Sequence, residues 1–219
     1  MQPLEIEVFE TRIAPHSEGG RLPETSLTLD TLRGRIVELS SVGLQGLGGV
    51  AARYVWEAQL AGHWPVWVTC SAVPSAEDLQ ASGVDLDALV VVRAGSLTGA
   101  LRAAERVMRS SVCGLVVIDV AAHAQLPASA VGRLLKIAQR TESACVLLGA
   151  RERTRASLSP LVSLRMELRY EEDALHTEED ARRLVVDPRR PIALEIVRDK
   201  REGRRGASRL RAKVCPGMR

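Results

Sequence analysis

The chain has 219 residues, of which 46% are hydrophobic and 26% are charged, a composition typical of a globular protein with a substantial core. No apolar run approaches the roughly 20 residues of a membrane-spanning helix, and the acidic N-terminus lacks the basic start and apolar stretch of an export signal, so we expect a cytoplasmic protein. The net charge of +3 is unevenly distributed, because residues 198–219 carry +7 and leave −4 for residues 1–197.

The first distinctive segment, GRIVELSSVGLQGLGGV at 34–50, predicts a strand, a loop and the start of a helix. A phosphate-binding loop needs G-x-x-x-x-G-K-[ST], since backbone N–H groups cradle the phosphates, the Lys neutralises them and the hydroxyl holds Mg²⁺. Here Ser41 stands at the first Gly position, Gly46 fills the second, and Leu47 and Gly48 replace the Lys and the Ser/Thr. We therefore expect no nucleotide cofactor and no enzymatic activity.

Apolar runs of four to seven residues alternate with helix-period segments along the chain. This alternation is typical of a largely parallel sheet covered by helices. The runs predict strands at 36–39, 65–70, 88–92, 114–120 and 144–149. The segments between them predict helices at 49–61, 97–109 and roughly 128–140, with Ser96 as the N-cap of the second.

The pattern changes after residue 160 to longer alternating segments at 161–170 and 192–200, which predict antiparallel strands closing one edge of the sheet. Between them, YEEDALHTEEDA holds six acidic residues and favours a solvated hairpin or loop. The four cysteines lack metal-ligand spacing, so we expect reduced thiols and no metal site. The predicted organisation is an N-terminal extension at 1–25, an α/β domain at 26–200 and a basic, flexible tail at 201–219.

Four segments resemble RecA-type recombinases in the same order along the chain. TSLTLDTLRGRIVELS is similar to the approach to the first strand of that family, and GVDLDALVVV to the beginning of its third strand. GLVVIDVAA is similar to the Walker B strand, and IALEIVRDKREGRRG to a late strand. The resemblance covers roughly residues 26–206. It implies a RecA-like core, with a mostly parallel central sheet flanked by helices and antiparallel strands at the C-terminal edge.

Of three positions that matter for an ATPase in this family, one is kept and two depart from what the resemblance implies. Asp119 stands at the Walker B aspartate and is interpreted as a relic of the fold. Ser71 falls where the family carries the catalytic glutamate, and Arg151 falls where it carries a phosphate-sensing glutamine. Together with the altered phosphate loop, these losses imply a protein without ATPase activity.

The two segments that contact DNA in RecA are short here, reduced to AAHAQLP and ARERTRASLSP, which implies little filament-type DNA binding. Arg151, Arg153 and Arg155 alternate in the second remnant and are candidates for phosphate contact, although a solvated face explains them equally well.

Two stretches, DLDALVVVRAGSLTGALRAAERVMRSSVCGLVVID at 85–119 and LLKIAQRTESACVLL at 134–148, occur here in a short chain without an intact phosphate loop. In these features the chain is similar to the ImuA family, also labelled SulA-like. That resemblance implies an accessory protein of the SOS response in mutagenic translesion synthesis and DNA repair. Its implied partners are an ImuB-like Y-family polymerase homologue, a DnaE-type error-prone polymerase and RecA. Two alternatives stay open. One is a small NTPase with an unorthodox site, and the other is a non-specific nucleic-acid-binding module. The candidate residues of that module are Arg198, Lys200, Arg201, Arg204, Arg205, Arg209, Arg211 and Lys213.

Overall fold

A computed structural model describes residues 9–10, 27–41, 46–70, 73–120, 125–150, 154–170, 191–203 and 209–213. The strands are β1 (Phe9–Glu10), β2 (Ile36–Ser41), β3 (Val66–Thr69), β4 (Val90–Arg93), β5 (Leu115–Val120), β6 (Ala144–Ala150), β7 (Leu164–Tyr170), β8 (Pro191–Asp199) and β9 (Arg209–Lys213). The helices are α1 (Leu29–Leu32), α2 (Leu47–Leu60), α3 (Ala76–Ala81), α4 (Leu97–Arg109) and α5 (Ala128–Thr141).

The described strands form one sheet in the order β1-β9-β8-β7-β2-β6-β5-β3-β4. Neighbours from β7 to β4 run parallel, whereas β8, β9 and β1 are added antiparallel. The predicted α/β fold is therefore confirmed, with a mostly parallel sheet and antiparallel strands at one edge. The structure adds that β7 itself pairs parallel to β2, so the direction changes between β7 and β8.

Helices cover both faces of the sheet because alternate residues of each central strand point to opposite sides. On one face, Val37 and Leu39 of β2 belong to a hydrophobic cluster that includes side chains of α1, α2 and α3. On the other face, Ile36 belongs to a second cluster with α4 and α5. The central parallel strands β2, β3, β5 and β6 are buried on both faces, which explains their continuous apolar runs.

Buried ion pairs connect the central strand β2 and the residue before it to β7 and β8. Arg35 Nη1, just before β2, donates to Asp199 Oδ2 at the end of β8 over 2.9 Å, and both side chains are 5% exposed. Glu38 of β2 accepts from the Leu158 N–H at 2.8 Å and lies 3.4 Å from Arg165 Nε of β7. These contacts join strands that are distant in the sequence.

The predicted helices are confirmed with small changes of boundary. Helix α4 occupies 97–109 as predicted, and Ser96 Oγ accepts from the Gly99 N–H at 3.1 Å as its N-cap. Helix α2 begins two residues earlier than predicted. The short helices α1 and α3 were not predicted, since segments of four and six residues are too short to show a periodic pattern.

The structure also bears on the predictions for the cysteines, the C-terminal segment and the acidic segment. Cys70, Cys113 and Cys145 are free thiols, and burial raises the pKa of Cys113 to about 11. Residues 209–213 of the predicted tail form β9, while the division of the chain at 25 and 200 stays a prediction. The acidic segment at 171–180 lies outside the described residues. Among the described helices, none is both long and apolar enough to cross a bilayer.

Candidate functional site

The altered phosphate loop lies between β2 and α2. Ser41 is the last residue of β2 and is buried, whereas residues 42–45 are outside the described part of the chain. Gly46 has a φ of +79° and precedes the first helical residue, Leu47. A positive φ favours glycine because it lacks a Cβ. The structure thus places a left-handed glycine at the start of α2, the position predicted for the second glycine of the loop.

The side chain of Leu47 is directed into the protein. It is 1% exposed and belongs to the hydrophobic cluster beneath α2. A lysine at this position would need to extend toward solvent to meet a phosphate, whereas the leucine contributes to packing. Gly48 differs, since it is exposed and a Cβ built there meets no atom within 4 Å. A Cβ at Gly48 would therefore have open space around it, whereas the side chain at position 47 makes a core contact.

Asp119 lies near the carboxyl end of β5, where the side chains of parallel strands converge. It is half-buried, and its Oδ2 accepts from the hydroxyl of Thr69 on β3 at 3.3 Å. Thr69 and Asp119 are direct neighbours in the pairing of β3 with β5. Partial burial, and then the charge of Asp119, raise the pKa of Cys70. Asp119 thus interacts with the neighbouring strand and lies two strands, or about 10 Å, from β2.

Several predicted site residues cannot be placed. Ser71, Arg151, Arg153, Arg204 and Arg205 lie outside the described residues, so their roles stay predictions. For Arg209, Arg211 and Lys213, only the strand pairing of β9 is described. No group of three or more potential metal-ligating side chains occurs within the described ranges.

The described basic candidates lie on the antiparallel side of the sheet. Arg198 and the segment at 156–157 line a cavity of about 310 Å³ together with Arg165. The adjacent Arg155 is exposed, and its carbonyl accepts from Arg165 Nη1 at 2.6 Å. The structure therefore places residues 155–157 close to Arg165 of β7 and Arg198 of β8.

Lys200 and Arg201 are exposed but make backbone contacts. Lys200 donates to the Pro160 carbonyl, and Arg201 Nη1 donates to the Arg33 carbonyl at 3.5 Å. Partial burial, followed by the charge of Arg198, lowers the pKa of Lys200. These two residues therefore also hold the end of β8 against the body of the domain.

An exposed apolar surface, which was not predicted, lies at the amino ends of β3, β4 and β5. Two of these segments are joined by hydrogen bonds, since the Val90 N–H of β4 donates to the Pro65 carbonyl before β3, and Gln59 of α2 pairs with the backbone of Asp85 before β4. Its exposed side chains, here called the apolar corner, are Leu60, Trp64, Leu86, Val90, Val91 and Val112. The run at 88–92 predicted a strand, but not that this strand would be the exposed edge of the sheet.

Comparison with known proteins supports the relationship that the fold indicates. No model of a known protein family matches the chain. The chain is 34% identical over 87 residues to the protein RecA of Corynebacterium jeikeium strain K411. The matched segment is 40% of this chain and 23% of that RecA, so the chain spans less than a quarter of its relative. The fold and this partial similarity together support a RecA-like relationship.

Proposed function

We propose that this protein is a non-catalytic adaptor of RecA-like fold that acts in DNA-damage tolerance through contacts with other proteins. The observation that carries the proposal is the burial of Leu47, the residue at the position of the phosphate-binding lysine. ATP hydrolysis in this fold class depends on positive charge and Mg²⁺ at the transferred phosphate. A leucine in the core supplies neither, so the scaffold is left to work by binding.

The finer assignment is an ImuA-like accessory role in error-prone translesion synthesis during the SOS response, in the cytoplasm. We propose an ImuB-like Y-family polymerase homologue as the principal partner, with a DnaE-type polymerase and RecA as further partners. The ordered resemblance of the four segments and the partial similarity to a RecA protein support the RecA-like scaffold on which this proposed role depends.

The apolar corner supports a function based on protein contact. Contiguous apolar surface on a soluble domain commonly marks a binding site for another protein. Trp64 is 50% exposed, and Val90 and Val91 lie on β4, the last strand of the described sheet. An edge strand also presents backbone groups that can pair with an extended segment of a partner. The apolar corner therefore combines the exposed aromatic side chain of Trp64 with the edge strand β4.

The enzyme alternative is decided by a titration of the full chain with ATP and Mg²⁺ by isothermal calorimetry. We expect a Kd of about 1 mM or weaker, which corresponds to a binding free energy no more favourable than about −4 kcal/mol. Micromolar binding accompanied by phosphate release would establish the NTPase and reject the adaptor.

Partner contact is tested by measuring affinity for the purified ImuB-like homologue. We expect Val91→Glu to weaken the complex about tenfold or more, because a charge would be desolvated in the interface. Val73→Glu is the matched control, since Val73 is similarly exposed, at 44% against 38%, but lies outside the apolar corner. Equal affinities of the two variants would contradict a role of the corner, and absence of binding by the unaltered chain would contradict the partner.

A further inference from the structure

Helices α4 and α5 each carry a row of exposed cations. Positions 102, 106 and 109 follow the spacing that places side chains on one helical face, as do positions 133, 136 and 140. The opposite faces of both helices are buried in the second hydrophobic cluster. The six residues, here called the α4–α5 basic face, are Arg102, Arg106, Arg109, Arg133, Lys136 and Arg140.

A single carboxylate joins the two rows into one surface. Glu105 Oε1 accepts from Arg109 Nη2 at 2.7 Å, and its Oε2 accepts from Arg133 Nε of the other helix at 3.1 Å. These two hydrogen bonds lower the pKa of Glu105. Glu105 is the only acidic residue within α4 and α5, against six basic ones. The surface therefore keeps a strong positive excess.

Four of the six cations are not neutralised by an ion pair with a described residue, so their charge is available to bind an anionic ligand. Arg102, Arg106, Lys136 and Arg140 make no ion pair with any residue that the structure describes. Each row runs about 10 Å along its helix, and packed helices lie about 8–10 Å apart. An area of this size spans several phosphates, since duplex DNA carries one charge per about 1.7 Å of its axis.

We propose that the α4–α5 basic face binds the phosphate backbone of nucleic acid. Protein interfaces are usually anchored by apolar or aromatic side chains at their centre. The large hydrophobic side chains that the structure shows exposed lie elsewhere, in the apolar corner and at Val73. Helices α4 and α5 contain no aromatic residue to stack on a base, so binding is independent of sequence. This site does not rest on the proposed adaptor function.

The test measures fluorescence anisotropy of a labelled oligonucleotide of about 30 nucleotides, single-stranded or duplex, at several salt concentrations with the full chain. The variant Arg102→Gln, Arg106→Gln, Lys136→Gln, Arg140→Gln is expected to bind about tenfold or more weakly. Its slope of log K against log salt is expected to be shallower by up to about 0.9 for each duplex phosphate that the variant leaves unneutralised. Equal thermal midpoints check folding, because glutamine is a good helix former.

The matched control lowers the net charge by the same four units at exposed positions of other elements, through Arg93→Glu, Ala76→Glu and Gln80→Glu. We expect it to retain affinity within about threefold, although its net charge equals that of the helix variant. An equal or greater loss of affinity in the control would show that net charge, and not the α4–α5 basic face, determines the affinity. That result would overturn the proposal, as would unchanged binding by the helix variant or no binding by the unaltered chain. Binding of anionic vesicles without binding of the oligonucleotide would overturn it in favour of a lipid surface.

Discussion

Leu47→Lys is expected to lower the free energy of unfolding by about 3–5 kcal/mol and to leave ATP unbound. Leu47 is 1% exposed within the cluster beneath α2, so a lysine there would carry its charge into apolar surroundings. An uncompensated buried charge destabilises a protein by about this amount. Urea unfolding followed by circular dichroism measures the stability, and the ATP titration is repeated on the folded variant.

Two control substitutions test whether the loss of stability comes from the charge introduced at position 47. Leu47→Met preserves volume and is expected to cost less than about 1.5 kcal/mol. Gly48→Ser is expected to change stability little, because a Cβ at Gly48 has no atom within 4 Å. A combined Leu47→Lys, Gly48→Thr variant could keep the free energy of unfolding of the unaltered protein and bind ATP with micromolar affinity. That result would show that position 47 still faces a nucleotide site. That outcome would contradict the proposed loss of nucleotide binding.

Asp199→Asn is expected to reduce the free energy of unfolding by about 3 kcal/mol. The substitution keeps the shape of the side chain but removes the charge that compensates Arg35, whose side chain is 5% exposed. An asparagine oxygen can still accept from the Arg201 N–H, a bond that Asp199 Oδ1 makes at 2.9 Å. The measured change therefore reports mainly the buried ion pair, and urea unfolding at neutral pH is the assay.

Asp30→Asn is the matched control, because Asp30 pairs with Arg33 at a similar distance of 2.8 Å but is 82% exposed. Exposed pairs contribute about 0.2–1 kcal/mol, so the control should stay within that range. If both variants were destabilised equally, burial of the Arg35–Asp199 pair would not be the reason that β8 is held beside the central strands.

Local sequence patterns were sufficient for most helices and central strands. Helix α4 was predicted with its boundaries and its Ser96 cap, since the amphipathic period and the cap lie within one short segment. The resemblance to RecA-type recombinases led to the correct fold class. The predicted boundary was less accurate where a glycine of positive φ starts the helix, as at Gly46 before α2.

The candidate surfaces were harder to predict because they depend on packing between distant segments. Five apolar residues at 88–92 indicate a strand, yet only the sheet order reveals β4 as an edge with Val90 and Val91 exposed. Likewise, the cation spacing in α4 and α5 is visible in the sequence. That Glu105 joins both rows on one side of the sheet follows only from the packing of the two helices.

The sequence alone determined the alternation of helices and strands and the loss of the Lys and Ser/Thr from the phosphate loop, because both are properties of short segments. Only the tertiary structure decided that Leu47 is a core residue and that Arg35 is neutralised by Asp199. It also decided which side chains of β4, α4 and α5 are exposed. Burial and charge pairing are set by neighbours that lie far away along the chain.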